Sequence, residues 1–399
     1  MKIVDLRATP VTVPAEAPWR WSMGIETGTT RTIIELITDE GIVGIGETYG
    51  GARTIEALSI AMPFVIGLDP LETGLLQHRL GVFNIGYETN VPPFVRAGIE
   101  MACLDAAGKA LGRSVSSLLG GAVRDGVDVA SYLFYRYASE DGRLPAVDTA
   151  EAILDRADEL VERNGHTVHK LKGGVLTPAE EYRALKLLRD RFPDAPLVWD
   201  PNAAWSVETT IRVGRRLTAD AFELQFLEDP CNWLEGMSQA RAAIGIPFAT
   251  NMCLVGPEQL APGIRARSVD VILADVHYWG GFRANQKMAA VVEAFNMGLG
   301  MHSDRELGIS TAAMVHLACS IPNLNYAIDS HYHDQADDII TAPWVYRDGR
   351  FELPQGPGLG VEIDRDKLDF YHRYFEDHVE VNEFYDPYRP GWVPAMPVF

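Results

Sequence analysis

Asp200, Glu228 and Asn251 are three oxygen-bearing side chains, each at the end of a short apolar run: 196–199, 222–227 and 244–250. The intervals between them are 28 and 23 residues, about the length of one strand–helix unit. In a parallel barrel, successive strand ends open on one face, so ligands on three neighbouring strands converge on one point. Two carboxylates and an amide oxygen suit a hard cation such as Mg²⁺, with water and substrate oxygens completing an octahedron. A single acid after a strand is more often a helix N-cap or a turn residue. Three in successive units, with the groups described next, favour the ligand reading.

Lys170 and Lys172 close the preceding apolar run. Strand alternation turns both toward the barrel interior and Leu171 toward the helices. Two ammonium groups together, taken out of water, are expected to have lowered pKa values. A lysine so tuned can act as a general base near neutrality. Asp275 and His302 follow the sixth and seventh runs. A carboxylate one strand away from a histidine can fix its tautomer and raise its basicity. This dyad is expected across the barrel mouth from the lysines, so a substrate would be flanked by bases on two faces. Asp329 and His331, after the eighth run, are weaker candidates for holding substrate.

The elements that must position these groups can be read from the same chain. Residues 2–14, 31–39 and 42–48 read as a three-stranded antiparallel meander, with Asp39-Glu40-Gly41 as a turn. Helical patterns follow at 53–66, 71–83 and 92–112, the last with one apolar face and Gly112 as its stop. Short apolar runs then recur near 127–134, 167–171, 196–199, 222–227, 244–250, 269–274, 297–301 and 324–328, with helical stretches such as 178–191 and 206–217 between them. Eight such repeats predict a (β/α)8-type barrel rather than an open sheet. The expected division is an α+β capping domain over 1–125, a barrel carrying the site over 126–340, and a segment 341–399 that returns to the cap. Asp386–Trp392 is too rich in proline and glycine for a helix or a central strand.

Composition removes other classes. A net charge of −20 over 399 residues argues against a nucleic-acid partner. No run approaches 18 apolar residues, so no membrane partner is expected. The N-terminus lacks the apolar stretch of a signal peptide. Four cysteines without CxxC spacing fit a reducing compartment, so a cytoplasmic location is expected.

Several runs together resemble the enolase superfamily, and within it glucarate dehydratase. They are HKLKGGVL at 169–176, DPNAAW at 200–205, EDPC at 228–231, ATNM at 249–252, ADVHYW at 274–279, His302-Ser303, IDSH at 328–331 and PGLGVEID at 357–364. YLFY at 132–135 and Arg389-Pro390 also match. Asn251 as third ligand is the most specific mark. The resemblance covers nearly the whole chain. It implies a substrate carboxylate bound to Mg²⁺ on Asp200, Glu228 and Asn251, with Lys170 helping to neutralise it. Lys172 or His302 would take the α-proton, and His302 would assist loss of the β-hydroxyl to leave a 2-keto-3-deoxy acid. Asn202 and Tyr132 are further implied site residues. The implied partner is a small carboxylate, an acid sugar, and a homo-oligomer is expected. A racemase or epimerase using the same two bases, or a metal-binding paralogue without turnover, are the rival readings.

Two regions depart from the dehydratase pattern. Ser303-Asp304-Arg305-Glu306 replaces an asparagine-rich run after the strand-seven histidine, and 18–23 differs in the lid. The far end of the substrate is therefore expected to be read differently from glucarate. Arg305 can clamp a distal carboxylate in bidentate fashion, be tied up by Asp304 or Glu306, or point to solvent.

Overall fold

The structure, a computed structural model, describes residues 1–81, 91–378 and 383–399. In chain order the N-terminal part runs β1 (Ile3–Trp21), β2 (Gly24–Thr38), β3 (Val43–Tyr49), α1 (Ala52–Val65), α2 (Thr73–Gly81), α3 (Pro93–Leu111), α4 (Val115–Leu118) and β4 (Gly126–Asp128). The barrel continues with β5 (Ser131–Arg136), α5 (Ala150–Asn164), β6 (His169–Lys172), α6 (Pro178–Arg191), β7 (Leu197–Asp200), α7 (Val207–Ala219), β8 (Phe226–Glu228) and α8 (Leu234–Ala243). Then come β9 (Phe248–Thr250), α9 (Pro257–Ala266), β10 (Val271–Ala274), α10 (Phe282–Ala294), β11 (Gly298–Met301), α11 (Gly308–Ser320), β12 (Arg350–Glu352) and α12 (Arg365–Asp377). The expected meander and the helices near 53–66, 92–112, 178–191 and 206–217 are present. The last two residues of the helix expected at 71–83 lie outside the described residues. Among the described residues no helix is long and apolar enough to cross a membrane.

β5 to β11 pair in parallel in chain order. The eighth run does not form a full strand. Only Ile328 closes the ring, bridging in parallel to Met301 on one side and Val129 on the other. The barrel is therefore a modified one: seven strands and a single-residue eighth stave. Leu171, Trp199 and Leu227 point outward into the core that packs the helices, while Val198, Phe226 and Leu273 fill the barrel interior.

β1, β2 and β3 form the antiparallel cap, and β1 also pairs with β5 through Trp19–Arg136 and Arg20–Tyr135. Both hairpin strands are longer than the alternation predicted. They reach past the barrel rim, so that Trp19–Glu26 hangs over its mouth. The tail contains a helix that the sequence did not announce: α12 packs on β1, where His372 Nδ1 lies 2.8 Å from Pro10 O. Residues 386–392 run in turns, as their prolines and glycine require.

α3 is apolar on two faces rather than one. Ala97, Met101 and Leu104 belong to the barrel-side core, and Val95, Ile99 and Ala102 to the cap core. β3 lies directly on this helix because Gly44 and Gly46 present no side chain to it. A Cβ at Gly46 would fall on the carbonyl oxygen of Gly98. Gly46→Val is thus expected to pry β3 from α3 and to destabilise the protein by about 3 kcal/mol, the upper end of overpacking costs. A melting temperature equal to that of the parent chain would refute this packing account.

Candidate active site

Strand order decides which side chains can meet. β6 and β10 stand four places apart in the ring, so Lys170 and Lys172 on β6 face Asp275, just after β10, across the mouth. Asp200 ends β7, Glu228 ends β8 and Asn251 follows β9. These three fill the arc between the two sets of bases.

The floor is a buried charge cluster. Lys170 Nζ lies 2.6 Å from Glu228 Oε2, 2.7 Å from Asp329 Oδ2 and 3.4 Å from Asp200 Oδ2. Lys172 Nζ donates to Asp200 Oδ2 at 2.6 Å. Asn251 Nδ2 donates to Glu228 Oε1 at 2.7 Å. Asp200 and Glu228 are fully buried and Asn251 nearly so. Behind them Asp229 accepts from the Asn251 backbone N–H at 2.7 Å and from Thr250 Oγ1 at 2.5 Å. That fixes where Asn251 stands. Burial pushes the Asp229 carboxyl up to about 7.

Lys170 departs from the expectation of a lowered pKa. Burial acts in that direction, but Asp329 and Glu228 outweigh it and hold the ammonium well above the ordinary lysine value. Its neighbours are carboxylates, not chiefly the other lysine, so the sign reverses. Lys170 is 1% exposed and sits beneath the cavity floor. It is a fixed positive charge. Asp329, expected near substrate, is instead one of its counter-ions.

His302 Nδ1 lies 2.8 Å from Asp275 Oδ2, and Asp275 Oδ1 accepts from the backbone N–H groups of His277 and Tyr278 at 2.6 and 2.8 Å. The carboxylate can only accept, so Nδ1 carries the proton and Nε2 is left basic. Tyr278 stacks on the imidazole at 5.4 Å. Burial opposes a charged His302, but the Asp275 hydrogen bond and charge prevail and raise its pKa. Replacing Asp275 by Asn removes that support. The pKa of His302 then falls and its neutral form persists to lower pH, so for a substrate whose α-proton faces His302 the acidic limb of kcat/KM moves toward lower pH. Activity should also drop by roughly 10²–10⁴-fold, the span of general acid–base contributions. An acidic limb that stays in place in the variant would show that His302 is not the group titrating.

Above the floor lies a cavity of about 250 Å³ that Lys172, Asn202, Asn251, His302 and His331 all line. Lys172 Nζ stands 5.2 Å from the Tyr132 ring centre and 5.9 Å from that of Phe134. The hydroxyl of Tyr132 and Oδ1 of Asn202 are buried and without a hydrogen-bond partner among the described residues, which leaves them available to substrate hydroxyls. The Asn202 backbone N–H donates to Asp200 Oδ1 at 2.9 Å. His331 is kept neutral by burial, with Nδ1 2.9 Å from Ser303 Oγ.

The roof comes in part from the 18–23 segment and from Asp304 and Arg305, which the sequence singles out, and in part from Glu26, Glu383 and Phe384, which it does not. Trp19 and Glu26 are brought in by the β1–β2 hairpin, and Glu383 and Phe384 by the tail. Arg305 is not free to clamp a ligand. Its Nη1 lies 2.6 Å from Glu26 Oε2, and its Nη2 2.9 Å from Asp304 Oδ1 and 2.6 Å from Glu383 Oε2. Of its two expected captors, Asp304 holds it. Glu306 instead accepts from Ser303 Oγ at 2.5 Å and from the Asp304 backbone N–H at 2.9 Å.

The floor fits a hard divalent cation. Among the described residues no three His, Cys, Asp or Glu side chains form a metal-holding group; the candidate set has only two acids, its third donor being an amide. Around it, three buried carboxylates, Asp200, Glu228 and Asp329, face two ammonium groups, Lys170 and Lys172. Burial first, and then Asp200 beside it, push the Glu228 carboxyl well above the usual range. An excess of buried negative charge on oxygen donors is what a cation of this type relieves.

Known proteins share the sequence and the fold of this chain over most of its length. The family described as Enolase C-terminal domain-like matches residues 152–367, and the Mandelate racemase / muconate lactonizing enzyme N-terminal domain matches 3–120. A probable glucarate dehydratase of Streptomyces coelicolor is 39% identical over 94% of this chain and 92% of its own. Muconate cycloisomerase 1 of Rhodococcus opacus is 26% identical over 94% of this chain and 99% of its own. An enolase from Pseudomonas fluorescens Pf0-1, crystallised with bound magnesium, potassium and tartrate, superposes with a TM-score of 0.90 at 34% identity, covering 100% of this chain and 99% of that one.

Proposed function

The chain belongs to the enolase superfamily, as a glucarate dehydratase-like member, and on that premise we propose that it is a Mg²⁺-dependent dehydratase of acid sugars. The observation that carries this reading is the opposition of Lys172 and the His302–Asp275 dyad across one cavity whose floor holds Asp200, Glu228 and Asn251. Those three residues would hold Mg²⁺, which when bound stabilises the charge that develops on the substrate carboxylate as the α-proton leaves. Lys170 adds a fixed positive charge beneath. Lys172 Nζ or His302 Nε2 takes the α-proton, according to the configuration at that carbon. His302, once protonated, gives a proton to the departing β-hydroxyl. Water is lost, and the resulting enol becomes a 2-keto-3-deoxy acid. Tyr132 and Asn202 offer their unpaired polar atoms to substrate hydroxyls, and His331 lines the wall beside them.

The same two bases, on opposite faces of one carbon, would also serve a racemase or epimerase, and that geometry favours it as the second reading. One experiment separates them. Hexarates, hexonates and pentonates are incubated with the protein and Mg²⁺, and 2-keto acid formation and α-proton exchange are both followed. Exchange with inversion and no keto product would replace the dehydratase by the epimerase.

A further inference from the structure

A substrate anchored by its carboxylate on the floor sends its far end up toward Glu26, Asp304, Arg305 and Glu383. We propose that this roof cluster selects acid sugars with a single carboxylate and an uncharged far end, and rejects the corresponding diacids. The inference rests on the acid-sugar reading and adds the class of acid.

Charge and geometry carry it. Three carboxylates surround one guanidinium. Arg305 uses Nη1 on Glu26, Nη2 on Glu383 and Asp304, and Nε on Asp304 at 3.0 Å. Both edges of the planar fork are therefore occupied, and a carboxylate needs one such edge for bidentate capture. Burial holds the Glu26 carboxyl well above the usual carboxylate range. Even with Glu26 protonated, Asp304 and Glu383 still exceed Arg305 in charge. The one lysine that lines the cavity among the described residues, Lys172, donates to Asp200 on the floor. The segments outside the described residues, 82–90 and 379–382, contain no lysine, arginine or histidine. A second substrate carboxylate would thus stand against Asp304 and Glu383, where like charges repel strongly, beside an Arg305 whose fork is already filled and an Arg31 paired with Glu47. A terminal hydroxymethyl group meets acceptors it can donate to.

The test compares a hexonate with the hexarate of the same configuration, using the intact protein with Mg²⁺. Formation of 2-keto acid gives kcat/KM, and calorimetry gives binding without need of turnover. The expected result is at least a tenfold preference for the hexonate in both. A Glu26→Gln/Glu383→Gln double variant, which frees the Nη1–Nη2 edge of Arg305 while Asp304 keeps the Nε side, should narrow that ratio tenfold or more; a ratio left unchanged in a folded variant counts against the roof as the selector. Preference for the hexarate in binding or turnover overturns this inference and leaves the dehydratase reading intact. Absence of keto product from both acids overturns the dehydratase reading, while the binding ratio still decides this one. Failure of both acids to bind overturns both.

Discussion

His302→Asn is expected to lower kcat/KM for dehydration by 10³-fold or more, about 4 kcal/mol of transition-state stabilisation, while leaving exchange of the α-proton measurable. The two outcomes separate because His302 is given two tasks and Lys172 one. Without the imidazole the β-hydroxyl has no proton donor held by Asp275. Lys172, across the cavity, can still remove and return a proton on its own face. Lys172→Met should do the reverse for a substrate whose α-proton faces the lysine: exchange and elimination are lost together. Measuring solvent deuterium in recovered substrate, alongside keto acid release, checks both. If His302→Asn eliminates water at the parent rate, the acid lies elsewhere. If it abolishes exchange as well for a lysine-facing proton, Lys172 is not a base.

Glu228→Gln is expected to abolish Mg²⁺ binding and to cost at least 10³-fold in kcat/KM, since electrostatic stabilisation of the developing charge is worth several kcal/mol. A second readout does not depend on catalysis. A cation that binds only the folded chain stabilises it by mass action, roughly 2.7 kcal/mol at a hundredfold excess over Kd. The wild-type melting temperature should therefore rise by a few degrees with saturating Mg²⁺, and that of Glu228→Gln should not. The variant keeps Asp329 and Asp200 as partners of Lys170, so folding without metal is expected to survive. A wild-type melting temperature indifferent to Mg²⁺ would count against the floor as a metal site.

The floor was legible because its grammar is local. A strand of period two turns Lys170 and Lys172 inward and Leu171 outward, and the oxygen-bearing side chains at three successive strand ends, Asp200, Glu228 and Asn251, point the same way. The dyad was legible for the same reason. Strand lengths were not. The apolar runs from 222 and 244 predict longer strands than Phe226–Glu228 and Phe248–Thr250, because residues leading into a barrel strand pack under the helices and are apolar whether or not they pair. The eighth stave shrank to Ile328 for a related cause: its neighbours on both sides supply only one bridge each. α12 escaped notice because its charged sequence buries only Leu368 and Tyr371, too little for a periodic pattern. Its one local cue was the cap, Asp364 accepting from the Lys367 N–H. The sequence gives the wrong sign for the pKa shift of Lys170 because its counter-ions, Glu228 and Asp329, lie 58 and 159 residues away. The roof is legible only in part: the 18–23 segment and Asp304 beside Arg305 can be read from the chain, Glu26 and Glu383 cannot. Nothing local to Arg305 announces Glu26 or Glu383; only the long hairpin and the returning tail bring them there.

The pairing of β1 with β5 bears on how this protein can be cut. A strand shared between cap and barrel means that neither part owns a finished border. Dissection near residue 125 would strip β5 of Trp19 and Arg20 and leave bare amide and carbonyl groups on both fragments, ready to recruit a neighbouring molecule. The excised barrel would keep every group of the floor and still be a sticky particle that has lost Trp19 and Glu26 from its roof. Miniaturisation or domain exchange on this scaffold must therefore carry the hairpin along, or supply a new strand in its place.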